Sequence, residues 1–208
     1  MFNSDTGMLF LAGQSALSSF RLEGLRQSLH ALGVDLIDVT EVYLAYFSGS
    51  VEATRTSQLQ TLLGGATVAD PAAGVYVMPR VGTTSPWSSK ATDIARVCGL
   101  DDLLRVEHGR YYRFDTELPG DSDQRESILA LIHDRMTESV IDTISDLPAV
   151  FDEAAPRTLR HVPLMSQGRQ ALVDANQDWG LALSDDEIDY LAQSYAGLER
   201  DPTDAELM

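Results

Sequence analysis

The order of its apolar runs constrains this chain more than any single motif does. Met8 to Ala12 reads as a strand and Gly13 to Ser15 as a turn. From Ala16 to Leu32 an apolar stripe at helical spacing (Leu17, Phe20, Leu25, Leu29, Leu32) predicts a helix that Gly33 stops. Val34 to Phe47 is rich in β-branched and aromatic residues and predicts a long strand, bent or bulged because its alternation is imperfect. A short helix from about Val51 to Leu63 follows, ended by Gly64 and Gly65. The order then repeats: strand at Val75 to Met78, helix at Pro86 to Cys98, strand or hairpin at Leu103 to Phe114. Two such units in succession predict an α+β fold, a duplicated ferredoxin-like sandwich with helices on one face of a sheet.

The helix of the second unit carries the most distinctive local chemistry. Ser85 is a good N-cap, Pro86 fits the first helical position where its missing N–H costs nothing, and Gly99 gives a stop. Trp87, Ala91, Ile94, Ala95 and Cys98 share one face, which is expected to be buried; Ser88, Ser89, Thr92, Asp93 and Arg96 fall mostly on the other, expected to be solvated. Lys90, the sole lysine, stands three residues before Asp93. The plain reading is a strand-turn-helix corner; the sharper one has Gly82 to Ser85 and the helix N-terminus presenting N–H groups to an anion or a partner domain. In the following strand, Arg105, Glu107, Arg110 and Arg113 alternate with Val106 and Tyr112, the pattern of a half-exposed edge.

Residues 121–147 read as the longest helix, with Asp123 as N-cap, Glu126 three later, and a stripe from Ile128 through Met136 and Val140 to Ile144. His133, Asp134 and Arg135 read as a solvated face of it. Beyond Pro148 periodicity is lost until a short helix at Gln167 to Trp179, a second opened by Ser184 with three acids in its first turn, and the start of a third at Asp201 to Asp204. These boundaries divide the chain into a disordered extension at 1–7, an N-terminal domain at 8–148 and a mostly helical, polar linker region at 149–208.

Charge excludes several functions. The net charge of −17 argues against nucleic acid and against an anionic membrane surface. Residues 1–100 carry 8 acidic and 6 basic groups and residues 101–208 carry 24 and 9, so most of the excess lies in the second half. The single cysteine, Cys98, precludes an internal disulfide and fits a reducing cytosol; its place on the apolar face predicts a core role. The four histidines lack metal-ligand spacing, and no signal peptide or membrane-length apolar run is present, so a cytoplasmic location is expected.

The segment Ser-Pro-Trp-Ser-Ser-Lys-Ala-Thr-Asp-Ile at 85–94, preceded by Pro79-Arg80 and Gly82-Thr83, resembles a stretch near the N-terminus of the large single-chain phosphoribosylformylglycinamidine synthases. The resemblance extends to Met8-Leu9 with Gly13 and Ala16-Leu17-Ser18, to His133-Asp134-Arg135-Met136, to Gly168-Arg169-Gln170-Ala171-Leu172, and to Gly180-Leu181-Ala182-Leu183 with Asp186 to Leu191. It implies an N-terminal domain like a dimer of the family's small separate subunit, then a linker leading toward the synthase domain. The family makes formylglycinamidine ribonucleotide from formylglycinamide ribonucleotide, ATP, Mg²⁺ and glutamine in purine biosynthesis. Its signature Asn-Ser-Glu-His-Cys-Arg-His, its nucleotide site and its glutaminase triad are not in this sequence, so the resemblance assigns no catalytic, cofactor or metal residue here.

What the resemblance implies is a scaffold that partners the synthase and glutaminase domains of the same enzyme, with Ser85, Trp87, Ser88, Lys90 and Asp93 at a domain contact. The alternative is a ferredoxin-like module that binds a small regulatory ligand, supported by fold analogy alone. A freestanding enzyme is disfavoured because no paired acid–base, metal or nucleophile constellation emerges.

Overall fold

The structure, a computed structural model, describes residues 7–69, 72, 74–120, 122–152, 155 and 157–208. The chain divides between residues 154 and 155 into two compact units. Of the disordered extension expected at 1–7, residues 1–6 lie outside the described residues, while Gly7 is buried and its carbonyl accepts from Phe47 N at 2.8 Å.

The first unit is built on strands β1 (Met8–Ser15), β2 (Leu36–Phe47), β3 (Thr67–Val68), β4 (Val75–Pro79), β5 (Leu103–Phe114) and β6 (Glu138–Ile141). They form one sheet in the order β3-β1-β2-β5-β4-β6, with every ladder antiparallel. Helices α1 (Ser19–His30), α2 (Ala53–Leu62), α3 (Pro86–Val97) and α4 (Asp123–Ile132) complete it, with a 3₁₀ helix at Ile144–Phe151.

The first unit is built of two repeats. Helix 19–30 recurs at 86–97 and strand 36–47 at 103–114, each 67 residues later. The sheet order is a palindrome about the β2–β5 ladder, where Glu41 faces Arg110, Val42 faces Gly109 and Tyr43 faces His108. Val42 and Gly109 are each other's counterparts under the 67-residue shift, so the pseudo-twofold axis passes between them. The predicted irregularity of β2 takes the form of register shifts at Leu36/Asp38 and Tyr46/Phe47.

Because side chains alternate along a strand, each half of the sheet supplies both faces. On one face Leu9, Leu11, Tyr43, Ala45 and Val106 pack with Leu59 of α2 and Ala95 of α3. Beside them Val39, Val75, Val77 and Tyr112 pack with Leu29 of α1 and with Ile128 and Ile132 of α4. On the opposite face Phe10, Val42, Leu44, Tyr76 and Met78 are covered by Leu147 and Val150 of the 3₁₀ helix.

Three expectations are corrected. Residues 121–147 are not one helix: α4 is capped by Ser122, whose hydroxyl accepts from Arg125 N at 3.2 Å, and it ends at Ile132. Val140 and Ile141 sit in β6, paired with β4. The helical period continued through a segment whose β-branched residues found a ladder instead. The charged strand β5 is not an edge; it lies between β2 and β4. Cys98 is exposed rather than in the core.

The second unit holds α5 (Leu164–Gln167), α6 (Arg169–Trp179), α7 (Asp185–Gly197) and α8 (Asp204–Leu207) around Val162, Leu172, Ala175, Ile188 and Tyr195. Ser184 and Glu187 form a full capping box on α7, and its three first-turn acids meet the positive helix end. Arg160 stacks 4.2 Å from the Trp179 ring centroid. Among the described residues no helix is long and apolar enough to cross a membrane.

Candidate functional site

Helix α3 is placed by a buried carboxylate. Glu107, fully buried on β5, accepts hydrogen bonds from Ser85 N (3.2 Å), Ser85 Oγ (2.8 Å) and the Arg105 guanidinium (2.6 Å), which also donates to the Thr83 carbonyl at 2.7 Å. Ser85 Oγ in turn accepts from Ser88 N at 2.9 Å, the N-cap expected from the sequence. Farther along, Thr92 Oγ1 accepts from Val106 N, and the Arg96 guanidinium donates to the carbonyls of Leu103 and Leu104. The polar side of this helix therefore binds the strand beside it. Gly99, at φ +94°, closes the helix as a residue with a side chain does only under strain.

The amphipathic reading of α3 holds for Ala91 and Ala95, which face the core, and for Ser89, Asp93 and Arg96, which are exposed, but is reversed at five other positions, among them Cys98. Ser88 and Thr92 are buried with Ala95, whereas Ile94 is 51% exposed, Val97 89% and Trp87 38%. Of the residues expected at a domain contact, Trp87, Lys90 and Asp93 are exposed, Ser85 is half-buried in its bonds to Glu107, and Ser88 is fully enclosed. Lys90 and Asp93 form no ion pair with each other. Leu104 of β5, 42% exposed, adds to the apolar surface of this region.

At the base of α3 three rings meet near the pseudo-twofold axis. Tyr43, Trp87 and His108 have centroids 5.9 Å (Tyr43–Trp87), 5.1 Å (Tyr43–His108) and 5.3 Å (Trp87–His108) apart. Burial, reinforced by the hydrogen-bonded Glu41 carboxylate at 3.0 Å, pushes the Tyr43 phenol up to about 12. Burial also lowers the His108 pKa against the opposing pull of Glu41 and Glu107, with Arg110 lowering it further. The ring is therefore held neutral, and its buried Nε2 has no hydrogen-bond partner.

Next to these rings a cleft of about 490 Å³ opens between the start of α3, strands β4 and β5, and the turn into β6. Arg80, Thr84, His108, Arg110, Met136 and Glu138 are among its walls. Arg110 is paired with Glu138 at 2.5 Å, and Glu138 also accepts from Asp134 N. Arg80 has no carboxylate partner among the described residues; one guanidinium nitrogen reaches the Met136 carbonyl at 3.5 Å.

The sequence reading did not single out Arg80, Glu107, His108, Ile94 or Val97 as site residues. One signal was available: Arg105 and Glu107, two apart in a strand, share a face and form an opposite-charge pair. Nothing local announced the cleft, whose walls come from segments far apart in the chain. Among the described residues no group of three or more metal-ligating side chains is assembled.

Residues 40–151 match the family described as formylglycinamide ribonucleotide amidotransferase N-terminal, and residues 172–208 match the formylglycinamide ribonucleotide amidotransferase linker domain. The two matches fall one in each compact unit and follow the order expected from the resemblance. With more than half its length in the first match and residues 172–208 of its second unit in the other, this chain belongs to the formylglycinamide ribonucleotide amidotransferase family, as an N-terminal domain followed by its linker.

Proposed function

We propose that the chain is a non-catalytic scaffold of the synthase, bracing an ATP-dependent synthase domain against a glutaminase domain. In the parent reaction ATP, with Mg²⁺, activates the amide oxygen of formylglycinamide ribonucleotide and ammonia from glutamine displaces it. That ammonia must travel between distant sites without meeting water, which demands rigidly held domains. The observation that carries this reading is the outward-facing apolar side of α3. A helix that buries Ser88 and Thr92 and exposes Trp87, Ile94 and Val97 is surfaced for another protein domain rather than for solvent. The polar latch of Glu107 fixes that surface in place. The contact set accordingly becomes Trp87, Lys90, Asp93, Ile94 and Val97, with Ser85 as the anchor beneath it. The sheet and its latch supply rigidity, and the full enzyme supplies the chemistry.

The test is Ile94→Asp and Trp87→Ala in the full-length enzyme, with glutamate and amidine product followed together. The scaffold reading expects more glutamate released per amidine formed, with Lys90→Ala producing a smaller change of the same sign. Unchanged glutaminase rate and unchanged coupling in all three would refute it.

A further inference from the structure

The two repeats of the first unit differ where the cleft lies. The 67-residue shift that superposes β2 on β5 relates Glu41 to His108 and Tyr43 to Arg110; between β1 and β4 the ladders pair Leu11 with Tyr43 and Val77 with Arg110, an offset of 66, so Gly13 corresponds to Pro79. In the first repeat this place is filled. Tyr43 donates to Glu41, and both press on the backbone of Gly13, where a Cβ would stand 3.0 Å from Tyr43 Cε2 and 3.1 Å from Glu41 Cβ. In the second repeat the filling ring and the acid are gone, and an open cleft of about 490 Å³ stands there instead.

The exchange also changes the sign of the site. One carboxylate and one phenol are replaced by an imidazole and a guanidinium, and the Arg80 guanidinium stands one residue beyond Pro79, the counterpart of Gly13. Glu138 pairs with Arg110, but Arg80 has no carboxylate partner among the described residues, on a chain of net charge −17. The remaining lining is mixed. Val77, Pro79, Pro86 and Met136 give apolar walls, while Thr84 and the buried, unpartnered Nε2 of His108 add polar groups. The volume lies within the roughly 300–1,000 Å³ typical of small-molecule sites, whose walls are mostly apolar with a few convergent polar groups. A guanidinium matches the paired oxygens of a carboxylate or phosphate.

We propose that this cleft is a binding site for a small organic oxyanion, a carboxylate or a phosphomonoester, held by Arg80 against the His108 and Arg110 wall. The site is a product of divergence after duplication: one repeat sealed the position with its own side chains, and the other left it open and cationic. It is independent of the scaffold reading, since the outer face of α3 forms no part of it.

The experiment is a nitrogen–proton NMR titration of the 208-residue chain, with inorganic phosphate in one series, acetate in a second, and chloride at matched ionic strength in a third. The expected result is saturable movement of the Arg80 side chain, Thr84 and His108 signals in the phosphate or the acetate series, with a Kd of about 1 mM or tighter. Whichever series saturates identifies the oxyanion class. Arg80→Gln is expected to weaken binding at least about tenfold, the loss of a charge-assisted hydrogen-bonding pair, and Arg80→Lys to restore part of it. Arg80 is exposed, so the variant spectrum reports directly that the fold is intact. The proposal is overturned by linear, unsaturated shifts that chloride reproduces, or by saturation that Arg80→Gln leaves unchanged.

Discussion

In the first repeat the N-cap Ser18 accepts a 3.4 Å hydrogen bond from Arg21 N; in the second, its counterpart Ser85 is also bound twice by a buried carboxylate. The strand residues that make the difference are Asp38 and Thr40 in β2 against Arg105 and Glu107 in β5. Asp38 pairs with Arg113 at 2.6 Å in a solvated bridge, whereas Arg105 and Glu107 pair where the carboxylate sees no water. The same backbone thus supports two economies of polar groups. Exposed pairs contribute little to stability, while a buried carboxylate depends on every donor it has. The second repeat can hold a helix whose outer side is apolar because its inner side is fastened by hydrogen bonds instead.

This contrast can be broken at several points. Glu107→Ala strands Arg105 and two N-cap donors, and is expected to destabilise the chain by about 3 kcal/mol, measured by urea unfolding. Thr40→Ala, its counterpart, should stay within about 0.5 kcal/mol, as for surface substitutions. Comparable costs would mean that the latch is no more important than its solvated equivalent. Next in size, Ser85→Ala is expected to cost about 2 kcal/mol and Ser18→Ala about 0.5–1 kcal/mol, the spread known for N-caps; denaturation midpoints of the two variants sharpen the comparison directly.

A smaller effect is set by pH. The folded pKa of His108 lies below its unfolded value of about 6.5, so on acidification the unfolded chain takes up a proton that the folded chain resists. Stability from this group is complete above pH 6.5 and is lost as pH falls from there toward the lowered value. His108→Gln should therefore show a shallower loss of stability between neutral and mildly acidic pH than the parent, by urea unfolding at each pH. Its counterpart Glu41 stands beside it, so a parallel dependence in the variant would assign the loss to carboxylates instead. Smallest of all, Ile94→Ser and Val97→Ser should change the stability of this chain by less than about 0.5 kcal/mol. A larger loss would place those residues in the packing of the unit rather than on a free face.

Much of the fold was legible. The strand-helix-strand order of the two repeats, the long bulged strand, Ser85 and Pro86 at the start of α3 and Ser184 with its first-turn acids at the start of α7 all follow from local rules that tertiary packing did not override. What failed did so for physical reasons. Hydrophobic periodicity cannot tell which stripe of a helix turns inward when the polar residues find hydrogen bonds to the strand beneath, so it places Trp87 and Ile94 in the core and Ser88 in solvent. The stripe from Ile128 to Ile144 continued a helical period past Ile132 because nothing like glycine or proline marks the break; the competing ladder with β4 is a long-range fact. The candidate site was the least legible part. Arg80, His108 and Glu138 acquire meaning only when the turn into β6 is brought against β4 and β5.

The β2–β5 ladder at the centre of the sheet also sets an order of events during synthesis. A growing chain finishes β2 at Phe47 and must wait until Phe114 for the partner strand to be complete. At roughly 5–20 residues per second that interval is on the order of seconds. Throughout it a twelve-residue strand has one edge unpaired, a template for any strand that arrives first. The matching strand of another nascent copy has the same shape, because the palindrome that lets the two halves meet within one chain also lets halves meet between chains. Delivery of the second repeat close behind the first on a single polypeptide gives the correct partner the advantage of nearness, and fixes which halves become neighbours.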